Sequence, residues 1–427
     1  MKKLIIYIML NLLCLAVCNG QSVLKDALDR YDYKAALHII DSLSVEDSSS
    51  AIDLAIKKSR CLRRLYRMDE AIEALTDVLY LDQFNTVLLA ELAETHVQAG
   101  NTMDAFNLYG VLSRMQPDNP YFKIMRARIL YREKKYGDSI SICKELIVKD
   151  SIPEILSLTA DAYKNMGKVD SALVYYDHVL LMRPRHVSTM SKKADILLTK
   201  KQCQPVIEMS GEYLKDDPDN MTMLPIYGLA LYLNGDYQLS LETFGHLCEL
   251  DEKSYGAHYY LGLNHYMLKN WHNAIEELDK AYQIDSSDVT LVYHLANAKS
   301  HMTPVDKSGK PVLNPESERL YARALSMIEP SPTMMQNIYG SMAVARHTVE
   351  QYEEAIKYYK LSYKYNPRNI SALSSIGYCY ERLKNYKKAL EYYQLYKKVG
   401  KPGTEGYKFV EEGIRYVTQE KFMQTPN

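Results

Sequence analysis

The sequence predicts an all-α fold, a solenoid of about eleven helix–turn–helix units, on three observations. A small residue recurs as Ala36, Ala71, Ala105, Ser139, Ala172, Ser240, Ala274, Ala355 and Ala389, with Val206 in the same series; the spacing is 33–35 residues except for one step of 81. A second small series leads the first by twelve residues: Ser59, Ala93, Ala127, Ala160, Ala194, Gly228, Gly262, Ala296, Ala343 and Gly377. Prolines 117, 184, 218 and 367 trail the first series by twelve residues, where a helix must stop. Small residues at such intervals let two antiparallel helices approach closely within each unit.

The chain opens with MKKLIIYIMLNLLCLAVCNGQS, two lysines followed by an apolar run from Leu4 to Val17. The run is short for a membrane span and has the form of a secretory signal, so residues 1–20 are expected to be a signal peptide cut at Gly20–Gln21. The competing reading takes LAVC as a lipoprotein signal with Cys18 lipidated, although Val17 fits poorly before such a cysteine. Residues 21–403 then carry the repeats. Bulky residues stand three before the second-helix small residue (Tyr33, Tyr136, Tyr237, Trp271, Tyr352, Tyr386) and four after it (Tyr109, Tyr176, Phe244, Tyr359, Tyr393). Those offsets share one helical face.

The step of 81 is two periods plus 13 residues and hides one more unit with an insertion, MTPVDKSGKPVLNPES, at residues 302–317. Asn314-Pro315 reads as the start of the following helix. Residues 404–427 form a C-terminal capping helix and tail, with Tyr407, Val410, Ile414 and Val417 on one face to cover the last repeat.

Composition narrows the function classes. The net charge is −1, or −3 without Lys2 and Lys3, and no basic tract offers an electrostatic footprint for nucleic acid. Five cysteines remain outside the leader, Cys61, Cys143, Cys203, Cys248 and Cys379, scattered without metal-ligand spacing and expected in the packed interior. Tyrosine is in excess, 37 against 6 Phe and one Trp. Tyr352, Tyr359, Tyr386 and Tyr393 fall at repeat positions and are read as architecture, with hydroxyls reaching the surface or a partner between helices.

These residues and spacings resemble the tetratricopeptide repeat family over about residues 22–402, as YGLALYLNGDYQLSLETFGHL and YYLGLNHYMLKNWHNAIEELDKAYQI illustrate. Val206, Ser59 and Pro205 depart from the family pattern locally. The resemblance implies a right-handed superhelix with a concave groove lined by first helices. On the family's groove-facing places stand Arg60 and Arg63 in the second unit, and Tyr121, Ile124, Arg128 and Tyr131 in the fourth. Units seven to nine place Tyr232, Tyr259, Tyr266 and Tyr293 there. Tyr and Arg suit recognition, combining large contact area with a polar tip. A class of this family grips C-terminal carboxylates with Lys and Asn; the corresponding places here hold Ile56, Arg60, Glu91 and Glu94, so that clamp is not reproduced.

No phosphate loop, nucleophile elbow or His-Glu-x-x-His occurs, and the acid pair Asp216-Asp217 reads as turn residues before Pro218. His258, His265, His272, His294 and His301 lie 7, 7, 22 and 7 residues apart, which brings no two onto adjacent turns of one helix as a helical metal site needs. The expectation is a non-enzymatic protein–protein interaction scaffold without cofactor or metal, exported and periplasmic. It would hold a protein or peptide in its groove. The alternatives are an outer-membrane-associated subunit organising a secretion, envelope-assembly or nutrient-uptake complex, and, less well supported, a carbohydrate binder or enzyme.

Overall fold

The computed structural model describes residues 21–43, 47–149, 152–327 and 331–423. The signal segment at 1–20 lies outside the described residues. The chain divides after Thr189 into two compact units.

In the first unit, residues 21–29 form α1, followed by α2 (Tyr33–Ser42), α3 (Ser48–Arg64), α4 (Met68–Thr76), α5 (Thr86–Ala99), α6 (Thr102–Met115), α7 (Pro120–Arg132), α8 (Tyr136–Lys149), α9 (Pro153–Asn165) and α10 (Val169–Met182). The division falls near the start of α11 (Val187–Thr199). The second unit continues with α12 (Cys203–Leu214), α13 (Met223–Asn234), α14 (Tyr237–Leu250), α15 (Tyr255–Met267), α16 (Trp271–Ile284), α17 (Val289–His301), α18 (Pro315–Met327), α19 (Pro332–Thr348), α20 (Tyr352–Tyr365), α21 (Ser371–Arg382), α22 (Tyr386–Val399) and α23 (Glu405–Met423). The fold is an all-α repeat solenoid in which odd-numbered helices from α1 to α21 are the first helix of a pair.

Several helices start and stop for a local reason. Asn85, Asp288 and Ser254 accept backbone N–H groups at the starts of α5, α17 and α15. Pro120, Pro153 and Pro332 open helices at a position whose N–H would be unpaired anyway. Pro205 sits in the first turn of α12, where it costs no helical hydrogen bond. Between the two helices of a pair the chain reverses through one left-handed residue, five positions before the second-helix small residue. That residue is Gly100, Gly167 or Gly235 in three pairs and Tyr31, Tyr66, Lys134, Lys201, Lys269, Glu350 or Lys384 in seven more; the α17–α18 pair, which carries the insertion, departs from this turn. The next N–H bonds back to the carbonyl five residues earlier, as from Asn101 to His96 and from Lys135 to Leu130, closing the end of the first helix.

Both small series are buried throughout. Gly377 shows why: a Cβ there would lie 2.6 Å from the ring of Tyr393. Serine substitutes for alanine by bonding the opposing helix, Ser139 Oγ to the Ala127 carbonyl (2.8 Å) and Ser240 Oγ to that of Gly228 (2.9 Å). The hidden unit has its small residue at Ser317, 1% exposed and 21 rather than 12 positions after Ala296. The 13 extra residues are therefore shared: nine lie between the small residues of α17 and α18, and four lengthen the start of α19, which has 17 residues against 13 in α17.

The tyrosines four positions after the small residue are fully buried at 109, 176, 321 and 393. Each phenol donates to a side chain on the first helix of its own pair: Tyr109 to Glu94 (3.3 Å), Tyr176 to Asp161 (2.6 Å), Tyr321 to Asn297 (2.7 Å) and Tyr393 to Glu381 (2.7 Å). A phenylalanine would leave those polar partners unpaired, which explains the preference for tyrosine. At the C-terminus, Val410 and Val417 of α23 are fully buried in the cluster formed with α20–α22, and Tyr407 and Ile414 pack beside them.

The insertion is tied at its neck. Asn314 accepts the N–H of Glu316 (3.0 Å) at the start of α18 and donates its amide to the carbonyls of Lys299 (2.9 Å) and Met302 (3.2 Å) at the end of α17. Within the loop, Asp306 Oδ1 accepts from the backbone of Ser308 and Lys310, and Val305 pairs with Pro311.

Candidate binding surface

In the first unit the residues read from the sequence as groove-facing fall into an ionic group and scattered rings. Arg60 and Arg63 on α3 both reach Glu91 on α5. Arg60 makes a two-pronged contact at 3.1 and 2.7 Å, and Arg63 Nη2 takes the same carboxylate from the other side. Glu91 and Arg63 are nearly buried, whereas Arg60 is largely exposed. The two arginines thus share one internal acid. Tyr121 is 47% exposed at the start of α7 and meets Phe122 edge-on. Tyr131 accepts a bond from Asn165 (2.7 Å) and packs against Tyr136. Arg128 lines a cavity of about 270 Å³ together with Glu154, Asp161, Arg183 and His186.

In the second unit the corresponding helices bring rings together. Tyr255 stacks on Tyr259 (5.9 Å between centroids, 9° between planes) and donates to Asp288 (2.5 Å). Tyr259 contacts Tyr260 and His294, and Tyr293 lies against the other side of His294 at 5.3 Å. Tyr232 meets Tyr237 and Tyr260 edge-on. Tyr266 abuts Trp271, whose indole stacks on His301 at 4.1 Å, and the Tyr266 hydroxyl is 3.2 Å from His301 Nε2. Tyr293 reaches Ser341 Oγ at 3.1 Å.

Tyr232, Tyr259, Tyr266 and Tyr293 are all half-buried, one side packed on the core and the other facing out. Between α15, α17 and α19 the surface dips into a cavity of about 380 Å³. Tyr266, Tyr293, Asn297, His301, Asn337 and Ser341 are among its lining residues. Burial drives the His294 imidazole down to about 4 and also lowers His301, so both are neutral near pH 7. The phenols of Tyr259 and Tyr266 are raised, first by the same desolvation. The result is an uncharged wall of ring faces, hydroxyls and amides, suited to holding apolar side chains while satisfying backbone groups.

His294, His301, Trp271, Asn297, Asn337 and Ser341 were not among the groove residues read from the sequence. A signal for some of them was present. Tyr131 and Asn165, Tyr255 and Asp288, and Tyr266 and His301 are partners 34, 33 and 35 residues apart. Residues one period apart on consecutive first helices face each other, and aromatic–polar pairs at that spacing mark the shared surface.

Stacked helix pairs whose first helices present side chains side by side, as within each of the two units, define a class of repeat proteins that work as binding platforms. Family models described as tetratricopeptide repeat match residues 91–151, 228–289 and 342–403, and a second such model matches 153–186. Together they cover just over half of the chain, which belongs to the tetratricopeptide repeat family. A TPR repeat-containing protein of Methanocaldococcus jannaschii is 20% identical over 374 residues, covering 76% of this chain and 65% of its own length. A tetratricopeptide repeat protein 21 homolog of Caenorhabditis elegans is 22% identical over 281 residues, covering 61% of this chain. The alignment spans 20% of that longer protein.

Similar solved structures include MamA (22% identity, TM-score 0.34, 41% of this chain and 95% of that one). The C-terminal part of a TPR repeat-containing protein from Cytophaga hutchinsonii is also similar (17%, 0.44, 59% and 99%), as is a chain of the APC/C hetero-tetramer Cut9–Hcn1 (11%, 0.42, 94% and 89%). The family suggests a protein–protein interaction scaffold, its members being generally non-enzymatic and typically binding proteins or peptides.

Proposed function

We propose that the protein is an exported, periplasmic, non-enzymatic scaffold that holds a protein or peptide segment on the first-helix surface of its second unit. The observation that carries this reading is the cavity between α15, α17 and α19, where the half-buried Tyr266 and Tyr293 and the neutral His301 surround Asn297, Asn337 and Ser341. Its rings are already held by stacking and by bonds to Ser341 and His301, so binding freezes few side chains. A partner segment would place an apolar side chain in the dip and its backbone amides on the flanking hydroxyls. Export is supported by the two lysines and the apolar run ahead of Gln21. An assembly role at the outer membrane is the second reading. It is favoured by the insertion at 302–314, a loop tied at Asn314 that the regular repeats lack and that could serve as a contact element.

Selection from a random peptide library, followed by titration of the winning peptides, tests the site. Tyr293→Ala and Asn337→Ala are expected to weaken binding at least about tenfold, in the range of an interface hot spot. Peptides that bind both variants as well as the parent would remove the site from consideration. Mass spectrometry of the exported chain tests localisation: an unmodified Gln21 start supports the periplasmic form, and a lipid on Cys18 supports the membrane-associated one.

A further inference from the structure

We propose that Cys248, His258 and Glu277 form a binding site for a zinc-like divalent transition metal, with three protein ligands and an open fourth position. The three residues come from three successive helices, Cys248 near the end of α14, His258 in the first turn of α15 and Glu277 in the middle of α16. Their donor atoms all lie within 4.8 Å of one another. Sγ of Cys248 is 3.6 Å from His258 Nδ1. Tetrahedral zinc with Zn–S of about 2.3 Å and Zn–N of about 2.0 Å sets those atoms about 3.5 Å apart. Glu277 Oε2 lies 2.7 Å from the same nitrogen, and this separation must open by about half an ångström for both atoms to bind one ion.

The surroundings prepare the ligands. His258 Nε2 is 3.0 Å from the Glu252 carbonyl, so Nε2–H donates outward and Nδ1 is turned toward the thiol and the carboxylate. That arrangement fixes tautomer and ring direction as the outer partner of a metal-bound histidine does. Lys280 Nζ holds the other oxygen of Glu277 at 2.8 Å, leaving Oε2 for the centre. The His258 and Glu277 side chains are only 9% and 13% exposed.

Cys248 is set apart from the other cysteines. Cys61, Cys143, Cys203 and Cys379 are buried, whereas Cys248 is partly exposed beside a cavity of about 610 Å³ that also reaches Glu252, His258, Lys280 and Gln283. That cavity supplies an entry path and room for a water or a partner's side chain as fourth ligand. A thiolate–imidazole–carboxylate set selects zinc and its neighbours over magnesium and calcium, which prefer all-oxygen shells. Histidine spacing within single helices cannot disclose such a site, because every ligand lies on a different helix.

The test uses the full mature chain without an affinity tag, titrated with cobalt(II) and then zinc(II). One equivalent of cobalt is expected to give the intense visible bands of tetrahedral Co(II) and a thiolate-to-cobalt charge-transfer band, both erased by one equivalent of zinc. Cys248→Ser should abolish the charge-transfer band and weaken zinc binding at least about tenfold. Glu277→Gln should weaken zinc by about tenfold while keeping the thiolate band. No thiolate band in the parent, or a band that survives Cys248→Ser, overturns the proposal. So does zinc affinity unchanged in both variants.

Discussion

The ionic surface around Glu91 in the first unit and the ring surface around Tyr293 in the second rest on one scaffold yet are held by different physics. At Glu91, two arginines converge on a single nearly buried carboxylate. Removing the acid leaves the nearly buried Arg63 cation without its counter-charge. At Tyr293 every polar atom is neutral, and the rings are fixed by mutual packing and by bonds such as that to Ser341. The repeat prescribes helix spacing through its small residues and says nothing about the chemistry of the outward positions. One array can therefore carry a charge-locked stretch and a neutral adhesive stretch, and only the second leaves its side chains available without first breaking an ion pair.

The sharpest way to break this contrast is to truncate rings of the two kinds. Tyr359→Ala removes a buried ring of the stack and is expected to cost about 3–5 kcal/mol. Tyr266→Ala removes a half-buried surface ring and should cost roughly 1–2 kcal/mol. Chemical denaturation of both variants decides it. Equal losses would make Tyr266 a core residue and dissolve the distinction.

Next in size is the first unit's acid. Glu91→Ala should destabilise by about 3 kcal/mol, and the combined change Glu91→Leu with Arg63→Met should recover most of that loss. A single variant that melts like the parent would show that the arginines find water easily and that the stretch is not locked.

Acid should separate the two units. His294 has its folded value lowered to about 4 from an ordinary 6.5. An unfolded chain takes up a proton below about pH 6.5 that the folded chain refuses until about pH 4. The stability held at neutral pH is thus lost as pH falls through that window, by about 1–3 kcal/mol for this residue. Hydrogen exchange of α15–α19 at pH 7 and pH 4.5 should show the loosening, and His294→Gln should suppress part of it. No change in those amides would mean that the imidazole is solvated.

The smallest effect tests what the two units share. Lys134→Gly and Lys269→Gly each relieve a left-handed turn residue, one in either unit, and should each stabilise by up to about 1 kcal/mol. Gains of different sign would mean that the turns are not equivalent.

Helix pairing was legible from sequence because it depends on local spacing: no larger side chain fits where Gly377 meets Tyr393, so the small residue appears every period. The phenol preference was legible only in part. Chemistry called for a partner, but Glu94, Asp161, Asn297 and Glu381 occupy no single sequence offset. The register of the ninth unit was hidden because serine at 317 does the work of alanine and the extra residues lie in two places. Outward surfaces were least legible. Arg60 and Arg63 read as groove cations, yet their common acid belongs to the next unit. The ring contacts of His294 likewise come from Tyr259 and Tyr293 on two successive first helices, an arrangement that spacing within one helix does not encode.

Asn314 gives the insertion a meaning for both evolution and engineering. One amide side chain closes α17 and opens α18, so the residues between are a detachable appendix whose length does not enter the register of the stack. Because closing a longer loop costs only about 0.6 kcal/mol per doubling, this neck is a splice point. A lineage can lengthen, shorten or exchange the segment here, and a designer can graft a reporter or an epitope, while the helices on either side keep their places.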